Sequence, residues 1–320
     1  MDLLSLHFMQ RALLAALLSG VISPAIGNWI VQRRLSLLGD GLGHVAIAGV
    51  GLAFLTGTAP LPLAIAVCIA GALAVELLRQ RGRATGDVGL AVLFYGGLAS
   101  GVLMAGLAGQ GAGALSQFLF GSLTTVNRTD LWVILGLAVV VLVPAVGLAP
   151  QLFAVCSDEE FARVLGLRVR TLNLLIVALA AVTVTVSMRT VGLLLVSAMM
   201  VIPVATSENL VVGYRSALAL AMGLGAVIAV GGTAASYYLD TASGATIVVL
   251  AIVVFLLSRP LNRLRHIAIS AITDEEPHII AEGHPHAVDG HAVAIQHEDH
   301  VDYLHDGHRH VPHEDHFDEH

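Results

Sequence analysis

The sequence predicts an all-α protein, a polytopic bundle of eight or nine transmembrane helices, and three observations carry that expectation. Hydrophobic residues make up 56% of the 320 residues and charged residues 12%, against roughly 45–50% and about 25% in an ordinary soluble domain. The mean hydropathy is +0.83. The apolar residues gather into runs that suit spans of ~20 residues, without the alternation of apolar and polar positions that a membrane β-barrel needs. By composition the chain divides into a transmembrane region, residues 1–265, and a His-, Asp- and Glu-rich tail, residues 266–320. The tail has few apolar residues after Pro277 and no usable periodicity, so it is expected to be disordered without metal.

Taken in order, the apolar runs place spans near 6–32, 35–57, 61–79, 88–108, 130–150, 171–188, 191–209, 215–238 and 245–258. Asp2 precedes the first run and no small-residue cleavage site follows it, so the first helix reads as retained rather than as a signal peptide. Segment 110–125 is too polar and Gly-rich to span and suits a re-entrant or interfacial piece. Pro203 lies inside the seventh run and is expected to kink or break its helix. Glycines at four-residue spacing, such as Gly39 with Gly43 and Gly97 with Gly101, read as sites of close helix packing. Asp87, Glu208 and Asp240 stand at run boundaries, where a carboxylate caps a helix.

The arginines recur at every second loop: Arg33 and Arg34; Arg79, Arg81 and Arg83; Arg163, Arg168 and Arg170; Arg215; Arg259, Arg263 and Arg265. Positive charge marks the cytoplasmic side, which puts the N-terminus outside and the tail inside for nine spans. The formal net charge of -7 conceals this, because Asp274, Glu275, Glu276 and the tail supply most of the acid. All 16 basic residues are arginine. Without lysine there is no GxxxxGK[ST] phosphate loop, so any ATP that drives the protein is bound by another chain. Cys68 and Cys156 stand far apart and make neither a CxxC motif nor a disulfide framework.

Three places hold chemistry. The first is Asp40 with His44, whose i, i+4 spacing puts both on one helix face. An ionisable residue inside the bilayer costs ~2.5–3.5 kcal/mol on insertion scales, so a pair there calls for a function. One carboxylate and one imidazole match a divalent-metal site that binds and then releases its ion. The plainer alternative is a helix cap beside Arg33 and Arg34 with a core histidine. Two ligands fall short of tetrahedral zinc, so further ligands or a homodimer are required.

The second is the charged interruption from Gln151 to Asn173. Ser157 with Glu160 reads as a capping box, and Phe161, Val164, Leu165 and Leu167 outline a short amphipathic helix able to dock another protein. A solvated loop is the alternative. The third is the tail, where twelve of the 15 histidines lie between His278 and His320 among Asp and Glu. Its candidate ligands are His284, His286, His291, His297, His300, His305, His308, His310, His313, His316 and His320. Neutral imidazole suits zinc, copper and nickel.

Several ordered stretches, over about residues 8–260, carry a resemblance: LLGDGLGHVAIAGVGLAFLTG, GDVGLAVLFYGGLASGVLM, LFGSLTTVNRTDLW, DEEFARVLGLRV followed by VGLLLVSAMMVIPVATS, and SYYLDTASGATIVV. The chain resembles the membrane permease subunit of ABC importers for zinc, manganese and iron. That resemblance implies a transport subunit that is not itself an enzyme, sits in a bacterial cell membrane as a homodimer or paired permease, and binds no nucleic acid. It implies as partners an ABC ATPase subunit on the cytoplasmic face and an extracytoplasmic metal-binding protein that delivers the ion. It places Asp40 and His44 at the family's membrane metal site. The segment holding Asp158, Glu159, Glu160, Ala162 and Gly166 takes the place of its ATPase-coupling helix. Gly41 and Gly43 depart from the Ala and Ser more usual beside that site, which suggests a looser local helix.

No covalent cofactor is expected; the divalent metal is cargo. The tail tilts the ion toward Zn2+ over Mn2+ or Fe2+, since manganese prefers oxygen ligands. A permease for a metal chelate, such as a siderophore or cobalamin, is the alternative, but it has no use for an ionisable pair that grips a naked ion. An intramembrane metalloenzyme requires HExxH or an equivalent set, and no HExxH occurs. The tail itself is read as a sensor that shuts off uptake, as a buffer for the arriving ion, or as a dispensable extension.

Overall fold

The structure is a computed structural model that describes residues 7–80, 86–110, 112–121, 126–273, 293–296, 301–305, 308–312 and 317–319. In a bilayer a spanning backbone must satisfy its own hydrogen bonds, and helices do so within one segment. The helices are α1 (His7–Gln32), α2 (Leu38–Thr56), α3 (Pro60–Gln80), α4 (Gly86–Leu107), α5 (Ala112–Phe120), α6 (Arg128–Gly147), α7 (Ala149–Ser157), α8 (Glu159–Val164), α9 (Val169–Val191), α10 (Leu193–Leu210), α11 (Tyr214–Leu239) and α12 (Ser243–Thr273). Among the described residues nine of these are long and apolar enough to cross a membrane, and they coincide with the nine runs read from the sequence. The exceptions, α5, α7 and α8, have nine, nine and six residues and are too short to span.

Local chemistry sets several boundaries. Asn127 and Asp130 form a reciprocal capping box that starts α6. Gly57, left-handed at φ 65°, closes α2 through its N–H on the Ala53 and Phe54 carbonyls. Gly192, at φ 87° and ψ 151°, separates α9 from α10 in a single residue. The break expected at Pro203 does not occur there, since α10 runs through Pro203; the chain interrupts itself at Gly192 instead. Asp240 does stand at a helix boundary, as the left-handed C-cap of α11, while Glu208 lies in the last turn of α10. The side chain of Asp87 lies outside the described residues.

The chain forms two compact units, Met1–Asn262 and Arg263–His320. In the first, the core gathers around α1, α2, α9 and α10, with Trp29, Ile22, Ile26, Leu42, Met188 and Met199 fully enclosed. Helix α2 lies between α3, α4 and α9. Its approach to α4 depends on Gly97, where a Cβ would lie 2.6 Å from the His44 carbonyl carbon. The packing expected of Gly97 and Gly101 is thus realised against α2.

In the second unit, β1 (Val293–Gln296), β2 (Val301–His305), β3 (His308–Pro312) and β4 (Phe317–Glu319) form an antiparallel meander in sequence order. Its register sets His305 opposite His308, and His310 opposite Tyr303 on one side and Glu319 on the other. These strands are the described part of the tail beyond residue 273, and the expectation of disorder for the rest falls outside the described residues.

Candidate metal site

Asp40 and His44 occupy the first two turns of α2, just after the α1–α2 turn that carries Arg33 and Arg34. Over Leu38–Gly51 every residue is buried except Asp40, whose side chain is 38% exposed. A carboxylate in an otherwise enclosed stretch opens on whatever lies beyond the chain. His44 Nε2 stands 3.9 Å from Asp40 Oδ2. That gap is too wide for a hydrogen bond, yet it suits an ion held between two ligand bonds of roughly 2.0–2.2 Å each. The Phe94 ring meets the His44 ring edge-on at 4.1 Å and 66°, which fixes the imidazole plane. Nδ1 of His44 is buried without a hydrogen-bond partner.

Of the two glycines beside the pair, a side chain at Gly43 would run into Leu193 of α10, while a Cβ at Gly41 would lie 3.5 Å from the Leu93 side chain of α4. Among the described residues no three or more His, Cys, Asp or Glu side chains are grouped so as to hold a metal ion.

The segment after α7 is a helix, as expected, but its cap differs. Asp158, not Ser157, is the N-cap: its Oδ1 accepts from the N–H groups of Glu160 and Phe161 at 2.8 and 2.9 Å. Ala162 is the buried face, packed with Val155 and Val169. Phe161, Val164 and Leu165 face outward, and Val164 is 83% exposed. Glu160 is exposed, and Gly166 ends the turn at φ 78°. Burial pushes the nearby Cys156 thiol up to about 12, with Arg33 pulling the other way.

The sequence reading missed a second set of charges. Glu76, in the last turns of α3, is 2% exposed and Arg33 4%. Glu76 takes a two-pronged contact from Arg79 at 2.9 and 3.0 Å, one from Arg33 at 3.1 Å and one from Gln80 at 2.9 Å. Glu159 of α8 joins the same arginines more loosely, at 3.6 Å to Arg33 and 3.5 Å to Arg79, while Asn173 donates to it at 2.9 Å. The signal was present in the sequence: Glu76 is the lone acidic residue between Asp40 and Asp87, three and four residues before Arg79 and Gln80.

Residues 5–261 match the family described as ABC-3, the ABC 3 transport family. The chain belongs to that family. The manganese transport system membrane protein MntC of Halalkalibacterium halodurans is 35% identical over 258 residues, covering 80% of this chain and 88% of that protein. The chelated iron transport system membrane protein YfeD of Yersinia pestis is 30% identical over 263 residues, covering 81% and 87%. The solved structure of PsaBC from Streptococcus pneumoniae in complex with Fab matches with a TM-score of 0.70 and 28% identity, over 82% of this chain and 97% of that one.

As an ABC-3 protein the chain is a transport component, a permease and not an enzyme. The family match ends at residue 261 and leaves the tail outside it. Of the tail histidines, His305, His308 and His310 fall on described strands, and the other candidates lie outside the described residues.

Proposed function

We propose that this chain is the membrane permease of an ATP-driven importer of divalent metal ions in a bacterial cell membrane, and that Asp40 and His44 hold the ion in transit. The observation that carries this is the pair itself: two ligands of metal-binding type, 3.9 Å apart, with the carboxylate opening out of a buried helix. A second copy supplies the missing ligands, two from each chain making a four-coordinate site. The ATPase meets the exposed apolar face of α8 on the arginine-rich, cytoplasmic side, and an extracytoplasmic binding protein delivers the ion opposite.

Zinc is the cargo that the histidine-rich tail favours, because imidazole with carboxylate holds zinc better than manganese. Manganese is the cargo of the Halalkalibacterium relative and chelated iron that of the Yersinia one, so the relatives offer both beside zinc. A chelate-sized cargo gains nothing from the pair. The tail, on the cytoplasmic side, is a sensor that slows uptake when metal is plentiful. The test is ATP hydrolysis by the reconstituted complex, with its binding protein loaded in turn with Zn2+, Mn2+ and Fe2+. Stimulation by one of these ions supports the reading and names the cargo; stimulation by none overturns it.

A further inference from the structure

We infer that Glu159 is the joint through which α8 moves the metal site, a positioning residue that acts through Arg33 and Arg79. The inference rests on the proposed docking of the ATPase at α8. Apolar packing of Ala162 ties α8 to α7 and α9. Its polar link to the ends of α1 and α3 is Glu159, which reaches Arg33 and Arg79 from the α8 side.

Two kinds of contact meet at those arginines. Glu76 grips them at 2.9–3.1 Å from a fully buried position, so it anchors. Glu159 holds them at 3.5–3.6 Å, is 33% exposed and shares its other oxygen with Arg163 at 3.4 Å. Open hollows of about 470 and 560 Å3 flank it, the first lined by Arg79, Arg163 and Asn173, the second by Arg33, Arg34 and Cys156. Its one short contact is the hydrogen bond from buried Asn173 of α9 at 2.9 Å, so the carboxylate can shift against the arginines about that point while the Glu76 anchor stays closed.

The connection onward is short. Arg33 stands seven residues before Asp40, and the turn between them is tied by backbone hydrogen bonds from Arg34 to Val31, Leu35 to Ile30, Leu38 to Leu35 and Gly41 to Leu37. Arg34 sits at φ 57°, unusual for a side chain of its size. A second connection runs through α3, whose Cys68 thiol donates to the Leu42 carbonyl at 3.3 Å. A shift of α8 against Arg33 and Arg79 therefore turns the start of α2, and with it Asp40 and His44.

The experiment compares the assembled transporter carrying Glu159→Gln, Glu159→Asp or Asn173→Ala with the wild type. The readouts are the ratio of ATP hydrolysis with and without metal-loaded binding protein, and metal affinity at Asp40 and His44. Glu159→Gln is expected to lower the ratio by about tenfold, within the usual range of coupling between sites, with metal affinity retained. Glu159→Asp is expected to restore a part of it, and Asn173→Ala to lower it by a smaller factor. A wild-type ratio in Glu159→Gln overturns the joint. Should that variant not assemble, wild-type ratios in both Glu159→Asp and Asn173→Ala overturn it equally. Val164→Asp separates the joint from the docking reading beneath it. If it still captures the ATPase, the docking reading falls, and the joint with it. If it loses the ATPase while Glu159→Gln couples normally, the joint alone falls.

Discussion

Two sets of ionisable groups stand on or beside membrane-length helices of this permease, and they differ in how far the contacts of each are closed. Asp40 and His44 are left 3.9 Å apart, with the carboxylate 38% exposed and one imidazole nitrogen unpartnered. Glu76 and Arg33, 2% and 4% exposed, are 3.1 Å apart, with Arg79 and Gln80 supplying the remaining contacts. Both oxygens of the Glu76 carboxylate are engaged, as a buried charge requires, although Arg33 Nη1 is itself buried without a hydrogen-bond partner. On the proposed reading an ion completes the open pair, and weak, partial coordination lets a transported ion leave.

The comparison breaks most decisively at the metal pair. Asp40→Ala and His44→Ala are each expected to lower metal uptake into proteoliposomes by at least about a hundredfold, since loss even of a ligand's supporting contact costs 10–100-fold in affinity. Membrane insertion is expected to be unaffected, and uptake at wild-type rate in both variants would erase the distinction. Glu76→Gln is expected to do the converse. It leaves Arg33 short of its counter-charge and destabilises the folded permease by about 3–5 kcal/mol, read as a lower Tm in detergent. An unchanged Tm would show that Glu76 is not the anchor described.

Smaller effects sharpen the contrast. Phe94→Ala removes the ring that orients His44 and is expected to weaken metal binding about two- to tenfold, the worth of one aromatic contact, measured by metal titration. Cys156, whose thiol is pushed up to about 12, is expected to alkylate slowly. At pH 8 the thiolate fraction is on the order of 10⁻⁴. The rate should rise about tenfold per pH unit toward the thiol's own value, because only the thiolate reacts. Fast modification at pH 7, followed by mass spectrometry, would contradict the burial of that corner. Deleting residues 278–320 is expected to leave the initial uptake rate near wild type and to remove its decline at high metal concentration. A deletion variant that still shuts off would end the sensor reading.

Much of the fold was legible because membrane-length apolar runs are the strongest pattern a sequence carries, and all nine appear as helices. Asp40 and His44 were legible for the same reason, as charge where charge is costly. The short-range choices were less so. Ser157 and Asp158 are both good N-caps, and the sequence pattern does not say which hydroxyl or carboxylate turns toward the Glu160 and Phe161 amides. Pro203 signals a break, but the neighbouring helices tolerate it, and the left-handed Gly192 takes that role. Glu76 escaped notice because it sits near a basic loop, where a carboxylate reads as solvated; its ion pair depends on Arg33 arriving from the α1–α2 turn.

The central claim is that Asp40 and His44, not the histidine tail, hold the transported ion. Equilibrium metal binding to the purified permease lacking residues 278–320, with and without His44→Ala, tests it most directly. The account predicts one ion bound for every two chains in the truncated protein and loss of that binding on the substitution. Undiminished binding by the truncated His44→Ala protein would contradict it.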